Sequence, residues 1–167
     1  MEERAYEDNA LPIGKGQTIS QPYTIAVMLN MLNLKQGQKV LELGSGCGYV
    51  LALMSEIVGV KGEVFGIEII KELYKKSKEN LKDYKNIKVY NRDGKQGLKE
   101  AAPFDRILIS AACEQIPHDV LYQLKEKGIL VAPVGPRQGQ TLAAVQRNQD
   151  NFKIKEQLQG FLFVRFV

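Results

Sequence analysis

The feature that most constrains this chain is residues 40–49, which read Val-Leu-Glu-Leu-Gly-Ser-Gly-Cys-Gly-Tyr. A short apolar run contains an acidic residue, glycine then recurs at every second position, and a helical pattern follows. This order predicts a strand that turns tightly into a helix and leaves its backbone open to a ligand. Twenty positions after Gly48, a second apolar run ends in Glu68. An acidic side chain at the tip of the next strand suits hydrogen bonding to a ribose diol.

The spacing of the glycines distinguishes between classes of nucleoside ligand. In a dinucleotide-binding fingerprint the third glycine would fall on Tyr49, and no Gly-Lys-Ser/Thr sequence supports a phosphate-binding loop. An acidic residue at the strand tip suits a cationic ligand better than a pyrophosphate. S-adenosylmethionine carries a sulfonium, an amine and a ribose, and therefore fits the pattern. The alternative is a glycine-rich turn that binds no ligand.

Length and composition favour an ordinary globular protein. The chain has 167 residues, of which 44% are hydrophobic and 25% charged, and this length predicts one domain with a full core. Within residues 1–167 we distinguish a loop segment (1–22), a βα core (23–135) and C-terminal antiparallel strands (136–167). The net charge of +4 does not indicate a nucleic-acid partner, because no basic stretch is interleaved with aromatic residues. We expect a monomer.

The cysteines and the N-terminal residues bear on the compartment. Cys47 and Cys113 are the only cysteines and His118 is the only histidine, so no metal-ligand spacing is present. Two separate thiols indicate a reducing environment. Residues 1–9 are polar and charged, unlike a secretory signal, and no apolar run reaches the roughly 18 residues of a membrane span. These features predict a cytoplasmic protein with no membrane partner.

Apolar runs of strand length alternate with helical segments along most of the chain. Residues 11–22 are predicted to form an extended loop. The predicted helices are 23–34, Tyr49–Val58, 71–84 and 117–124, and the predicted strands are Lys39–Leu43, Glu63–Glu68, Ile87–Asn91, 105–110, 128–133, 140–146 and 152–167. This alternation predicts an α/β fold with a doubly wound, mostly parallel sheet and antiparallel strands at the C-terminal edge. Ligands bind such sheets beyond the carboxyl ends of the strands, where the glycine turn, Glu68 and Asp93-Gly94 fall.

Several motifs resemble the protein-L-isoaspartate O-methyltransferase family. Residues 16–23 (Gly-Gln-Thr-Ile-Ser-Gln-Pro-Tyr) carry the most specific similarity, whereas the glycine turn is shared by many class I methyltransferases. Further similar segments are 93–94, 102–105, 111–112, 116–117 and 130–135, and the order of motifs is kept from about Arg4 to the C-terminus.

The resemblance implies a Rossmann-like class I methyltransferase fold. It also implies methyl transfer from S-adenosylmethionine to the carboxylate of L-isoaspartyl or D-aspartyl residues in damaged proteins, with repair through a succinimide. Ser20 takes the position of the family's active-site serine, and Gln17 and Val164 are expected beside the substrate. The implied cofactor-binding residues are Ile13, Gly14, Gly16, Gly44, Ser45, Gly46, Glu68, Ile69, Asp93, Gly94 and Val167.

Two departures from the family pattern concern the active site. The family usually has an N-terminal helical segment of several tens of residues before this point, and its absence here would affect turnover and substrate affinity more than cofactor binding. The closing motif, similar to Phe-Val-Pro-Leu in the family, reads Phe163-Val164-Arg165-Phe166. Arginine in place of proline adds a backbone N–H group and a charge near the expected substrate.

The expected reaction needs positioning rather than proton transfer. A carboxylate is already ionised at neutral pH, so no general base is required. Ser20 suits a hydrogen-bond donor that positions the carboxylate, although a serine before Pro22 also suits a helix N-cap. Glu42 is expected to orient the glycine turn through backbone N–H groups. The role of Asp8, beside the loop, is left open.

Two alternative functions remain. One is a class I methyltransferase acting on another acceptor, such as a small acid or RNA. The other is a cofactor-binding module with little activity.

Overall fold

We describe the chain from a computed structural model, which covers residues 7–136 and 138–166. Its centre is a seven-stranded sheet in the order β5-β4-β3-β6-β7-β8-β9, and a separate two-stranded hairpin precedes it. The strands are β1 (Leu11–Gly14), β2 (Gln17–Ile19), β3 (Lys39–Leu43), β4 (Glu63–Glu68), β5 (Ile87–Asn91), β6 (Phe104–Ile109), β7 (Leu124–Val134), β8 (Gln140–Asn148) and β9 (Asn151–Phe161).

Strands β3 to β7 run parallel, and β8 and β9 are antiparallel additions at one edge. The helices are α1 (Pro22–Leu32), α2 (Tyr49–Val58), α3 (Lys71–Asn80) and the short α4 (His118–Leu121), with a 3₁₀ turn at Lys99–Ala101. The α/β fold with a mostly parallel sheet and antiparallel C-terminal strands is therefore confirmed. None of the helices in the described ranges is long and apolar enough to cross a bilayer.

Two apolar layers cover the two faces of the sheet. Helices α1 and α2 pack on one face through fully buried side chains such as Met28, Leu32 and Met54. The other face is packed around Phe104 and includes Val120 of α4. Each buried side chain of this size contributes about 1.5–3 kcal/mol through removal of apolar surface from water. This rigid framework holds the carboxyl ends of the parallel strands at one edge.

The prediction of an extended loop over residues 11–22 was wrong in part, because β1 and β2 pair there as an antiparallel hairpin. Gly14, Lys15 and Gly16 all have positive φ angles, of 100°, 54° and 70°, and this allows the chain to reverse within three residues. Strands of four and three residues are too short to show a readable alternation of apolar and polar side chains.

Several predicted boundaries also differ. Helix α3 ends at Asn80, whereas we predicted 84, and Leu81 turns into the core instead. Helix α4 ends at Leu121, earlier than the predicted 124, and strand β7 begins at Leu124, earlier than the predicted 128. Strand β9 ends at Phe161, whereas we predicted 167. The residues after β9 leave the sheet edge, and Arg165 forms a parallel bridge with Ala112.

Candidate active site

Three adjoining cavities lie at the carboxyl ends of the parallel strands. The first, the glycine-turn cleft, is lined by Gly44, Gly46, Glu68 and Gly94 among others. The second, the helix-end cleft, lies between the start of α1 and residues 159–164, and its volume is about 560 Å³. The third, the Glu42 chamber, lies beneath the glycine turn. Thr18 and Ser110 line all three cavities and therefore mark their junction.

The glycine turn is held in shape by Glu68. One carboxylate oxygen accepts a hydrogen bond from the Gly46 N–H at 2.7 Å, and the other accepts one from the Ile70 N–H at 2.8 Å. The Gly44 and Ser45 N–H groups donate to the Ile67 carbonyl of the neighbouring strand. The expectation that Glu42 orients this turn was therefore wrong, because Glu68 makes those contacts.

Glu42 instead contacts the next strand along the sheet. It is 1% exposed, and Ser110 Oγ donates to its Oε1 atom at 2.6 Å. Burial raises the pKa of Glu42 to about 8, the hydrogen bond from Ser110 opposes this rise, and the nearby charge of Glu68 adds to it. The Oε2 atom of Glu42 and the hydroxyl of Ser45 are buried without a partner among the described residues. Both can accept hydrogen bonds from a ligand.

The start of α1 is capped by Asp8 rather than by Ser20. Asp8 accepts one hydrogen bond from the Tyr23 N–H at 2.9 Å and another from Gln21 Nε2 at 2.8 Å. Asp8, whose role the sequence leaves open, therefore stabilises the start of α1 in the structure. The Ser20 hydroxyl has no hydrogen-bond partner within the described ranges, and Ser20 lines both the helix-end cleft and the Glu42 chamber.

Two segments form the outer wall of the glycine-turn cleft. On one side Ile13 of the hairpin packs against Cys47 and Leu73, and Lys15 pairs with Glu72 at 2.7 Å. On the other side are residues 164–166. The Ala112 N–H donates to the Val164 carbonyl at 2.7 Å, and the Phe166 N–H donates to the Ala112 carbonyl at 2.8 Å.

The phenyl ring of Phe166 lies so close to Gly94 that a β-carbon there would be 3.2 Å from it. Gln140, beneath this segment, accepts a hydrogen bond from the Phe163 N–H at 2.8 Å. Residues 162–166, which we call the C-terminal segment, are thus held at Phe163 by Gln140 and at Phe166 by Ala112.

The structure brings most of the predicted site residues together. The glycine-turn cleft contains Ile13, Gln17, Gly44, Gly46, Glu68, Ile69, Gly94 and Val164, and the Glu42 chamber contains Ser45 and Ser20. Gly14 and Gly16 form the hairpin turn instead of lining a cavity. Asp93 is exposed beside the cleft, and its carboxylate accepts a hydrogen bond from the Lys95 N–H. Val167 lies outside the described residues.

Sequence reasoning missed Thr18, Ser110 and the buried position of Glu42. Ser110 directly follows β6, so the rule that ligands bind beyond the carboxyl ends of parallel strands already pointed to it. The only histidine, His118, lies on α4, where its ring is 4.7 Å from that of Tyr122, and lines none of the three cavities.

Sequence comparison identifies the family. The family model described as protein-L-isoaspartate (D-aspartate) O-methyltransferase matches residues 1–167. The chain belongs to this family. A protein-L-isoaspartate O-methyltransferase from Methanothrix thermoacetophila is 43% identical over 98% of this chain and 77% of its own length. A second, from Ignicoccus hospitalis, is 45% identical over 92% of this chain and 74% of its own length. The resemblance stated from the motifs is confirmed.

Solved structures agree with the family. A protein-L-isoaspartate O-methyltransferase from Plasmodium falciparum, crystallised with S-adenosyl-L-homocysteine, has a TM-score of 0.89 and 28% identity; the match covers 100% of this chain and 84% of that one. A precorrin-6y C5,15-methyltransferase from Geobacter metallireducens, with a TM-score of 0.66 and 18% identity over 89% of this chain and 90% of that one, shares the fold.

Proposed function

We propose that this chain transfers a methyl group from S-adenosylmethionine to the side-chain carboxylate of L-isoaspartyl or D-aspartyl residues in damaged proteins. One observation carries the proposal. The glycine-turn cleft, which Glu68 lines, joins the helix-end cleft, which Ser20 lines. Membership of the protein-L-isoaspartate O-methyltransferase family supports the choice of carboxylate as the acceptor.

The residues of the glycine-turn cleft suit S-adenosylmethionine. Gly44 and Gly46 have positive φ angles and no side chain, so a ligand can approach the backbone closely. A β-carbon on Gly46 would lie 3.0 Å from the Ile13 side chain. The buried hydroxyl of Ser45 has no partner among the described residues and can accept a hydrogen bond from the ligand. Gly44, Ser45 and Gly46 would hold the methionine end, Glu68 and Ile69 the ribose, and Asp93 and Gly94 the adenine.

The cleft itself encloses only about 60 Å³, whereas sites for ligands of this size enclose about 300–1,000 Å³. We therefore expect the hairpin or the C-terminal segment to move outward when the ligand enters. Ile13, Gly14 and Gly16 of the hairpin, together with Val167, would then complete the wall.

The chain's own residues have two tasks in this reaction, which are to position the acceptor carboxylate and to limit access of water. Bound S-adenosylmethionine supplies an electrophilic methyl group on a sulfonium. The hydroxyl of Ser20 donates to the acceptor carboxylate, which is ionised at neutral pH and needs no base. Val164 borders both clefts and Gln17 borders the glycine-turn cleft, and the two side chains limit access of water to the junction, as direct displacement at carbon requires.

We further propose that the chain works as a single-domain monomer in the cytoplasm, on protein rather than nucleic acid. The two cysteines are both free and buried, which suits a reducing compartment. The net charge of +4 is too small to favour a polyanionic partner strongly. Sedimentation of the purified chain tests the oligomeric state.

The decisive experiment compares two peptides that differ only in containing isoaspartate or normal aspartate. We expect a labelled methyl group to enter the isoaspartyl peptide alone. Equal labelling of both peptides, or labelling of neither while another acceptor is methylated, would contradict the proposal. Calorimetry with S-adenosylhomocysteine would reveal a binding module without catalysis, since such a module would bind the ligand but label neither peptide.

Substitution of Ser20 by alanine tests the positioning role. We expect kcat/KM for the isoaspartyl peptide to fall about 10- to 100-fold, because one hydrogen bond to a charged group is lost. The affinity for S-adenosylhomocysteine should change little. Ser55→Ala is the matched control, since Ser55 is a buried serine whose hydroxyl donates to Asn86 away from the three cavities.

A further inference from the structure

We propose that Ser110 is a second hydroxyl that positions the acceptor carboxylate, and that Glu42 sets the direction in which this hydroxyl donates. The inference rests on the proposed function and concerns two residues to which the family resemblance assigned no role toward the substrate. Its basis is the contact between the two side chains and the place of Ser110 at the junction of the three cavities.

The place of Ser110 gives it access to both reactants. It lines the glycine-turn cleft, the helix-end cleft and the Glu42 chamber, and among the described residues only Thr18 does the same. The Ser110 N–H donates to the Leu43 carbonyl at 2.9 Å, so the residue is fixed beside the glycine turn. A methyl group passing from the first cleft to an oxygen in the second must cross this junction.

A serine hydroxyl has one proton, and the contact with Glu42 decides where that proton points. When Glu42 is ionised, Ser110 donates to Oε1, and only its lone pairs face the junction. A carboxylate is an acceptor and carries negative charge, so this arrangement repels it. When Glu42 is protonated, the 2.6 Å contact can reverse: Glu42 donates to Ser110 Oγ, and Ser110 donates into the junction.

The surroundings of Glu42 favour the protonated form at neutral pH. It is 1% exposed, its Oε2 atom has no partner within the described residues, and the negative charge of Glu68 further raises its pKa. The other titratable side chains lining the chamber are the exposed phenol of Tyr49 and the thiol of Cys47, and burial raises the pKa of that thiol. With its pKa at about 8, Glu42 loses its proton just above neutrality, whereas the thiol stays neutral there.

The test measures the KM of an isoaspartyl peptide with blocked termini and no histidine, cysteine, tyrosine or lysine between about pH 6.5 and 9. In the unmodified chain we expect KM to rise about tenfold above pH 8, because the form with ionised Glu42 binds the carboxylate poorly. In Glu42→Gln the amide can donate to Ser110 at every pH, so the KM should stay low and flat.

Ser110→Ala separates the two residues. It should raise KM about 10- to 100-fold at neutral pH and remove the further rise above pH 8. Ser110→Thr, which keeps the hydroxyl, should restore both the low KM and its pH dependence. Ser55→Ala serves again as the buried-serine control.

Binding of S-adenosylhomocysteine is measured over the same pH range as a second readout. We expect its Kd to vary much less than the KM. A KM that stays flat in the unmodified chain, an unchanged pH profile in Glu42→Gln, or a Kd that follows the KM would overturn the inference. In the last case Glu42 acts on the cofactor. Failure of the proposed function is distinguishable, because the unmodified chain would then label no isoaspartyl peptide.

Discussion

At the scale of single residues, the two glutamates at the glycine turn have different tasks. Glu68 is tied to two backbone N–H groups and keeps the turn in shape. Glu42 has one hydrogen bond and one unpartnered oxygen in a buried chamber. An isolated buried carboxylate avoids charge by keeping its proton, since the cost of burying the ionised form is several kcal/mol.

The stability of the chain should therefore depend on pH through Glu42. Between its ordinary pKa of 4.5 and its folded pKa of about 8, the folded chain holds a proton that the unfolded chain has released. The free energy of unfolding should fall as pH rises in this window, by up to about 1.4 kcal/mol per pH unit. Urea unfolding at several pH values measures the slope.

Glu42→Gln should remove this contribution to the slope, because a glutamine side chain does not titrate. Glu63→Gln is the control, since the Glu63 side chain is 52% exposed and should leave the slope nearly unchanged. An equal slope in the unmodified chain and in Glu42→Gln would contradict the assignment.

At the scale of elements, the site depends on how α1 and α2 begin. Helix α2 follows Gly48, whose φ angle is 89°, and Asp8 caps α1 from outside the helix. Both helix starts lie at the carboxyl edge of the sheet, where Tyr23 of α1 lines the helix-end cleft and Tyr49 of α2 lines the Glu42 chamber. Changes at these two positions should therefore affect both stability and the geometry of the site.

Gly48→Ala should destabilise the chain by about 2–4 kcal/mol, because the backbone strain of alanine at a positive φ angle and the steric collision of its β-carbon both raise the free energy of the folded state. The new β-carbon would lie 2.7 Å from Leu81 Cδ1 in a conformation that favours glycine. Gly37→Ala is the matched control: its φ angle of 77° is similar but its surroundings are open, so a loss of about 1–2 kcal/mol is expected. Equal losses in chemical unfolding would show that the contact with Leu81 is unimportant.

Asp8→Ala should cost about 1 kcal/mol of stability through loss of the cap on α1. Asp8→Asn keeps an acceptor oxygen for the Tyr23 N–H and should cost less. Thermal unfolding of the two variants tests this order. If both variants match the unmodified chain in stability, the contact does not stabilise the helix.

At the scale of the whole molecule, residues far apart in sequence form one site. The hairpin comes from the start of the chain and residues 162–166 from its other end, and both lie over the edge of the central sheet. Gln140 is 3% exposed; it donates to the Pro136 carbonyl and accepts from the Phe163 N–H. It connects the start of β8 to the C-terminal segment.

Gln140→Ala should loosen that segment. We expect a stability loss of about 1–3 kcal/mol, weaker binding of S-adenosylhomocysteine, and faster hydrogen exchange at Phe163. Asn86→Ala is the control, because Asn86 also bonds through both amide atoms but lines none of the three cavities at the active site. A fall in affinity that is equal in the two variants would show that general destabilisation, and not the C-terminal segment, is responsible.

The sequence could predict those parts of the fold and site that depend on local patterns. The glycine turn and Glu68 were found from spacing alone, and the parallel sheet from alternation of elements. The hairpin was missed because its strands are too short to show a period.

The sequence favoured Glu42 as the residue that contacts the glycine turn, whereas the structure has Glu68 there. This difference depends on the register between β3 and β4. Leu43 pairs with Ile67, so Glu68 lies one residue beyond that pair, beside the turn. Two acidic residues at the ends of neighbouring strands cannot be told apart until that register is known.

The two bonds of Glu68 also limit how this site can evolve. The carboxylate that we expect to select a ribose is the same group that keeps the turn folded. A mutation that removes the contact with the ribose would also remove the two hydrogen bonds to the backbone of the turn. Adaptation to a different nucleoside would therefore need a compensating hydrogen-bond acceptor elsewhere. In a saturation screen scored only for folding, this position should tolerate as few substitutions as the interior of β3.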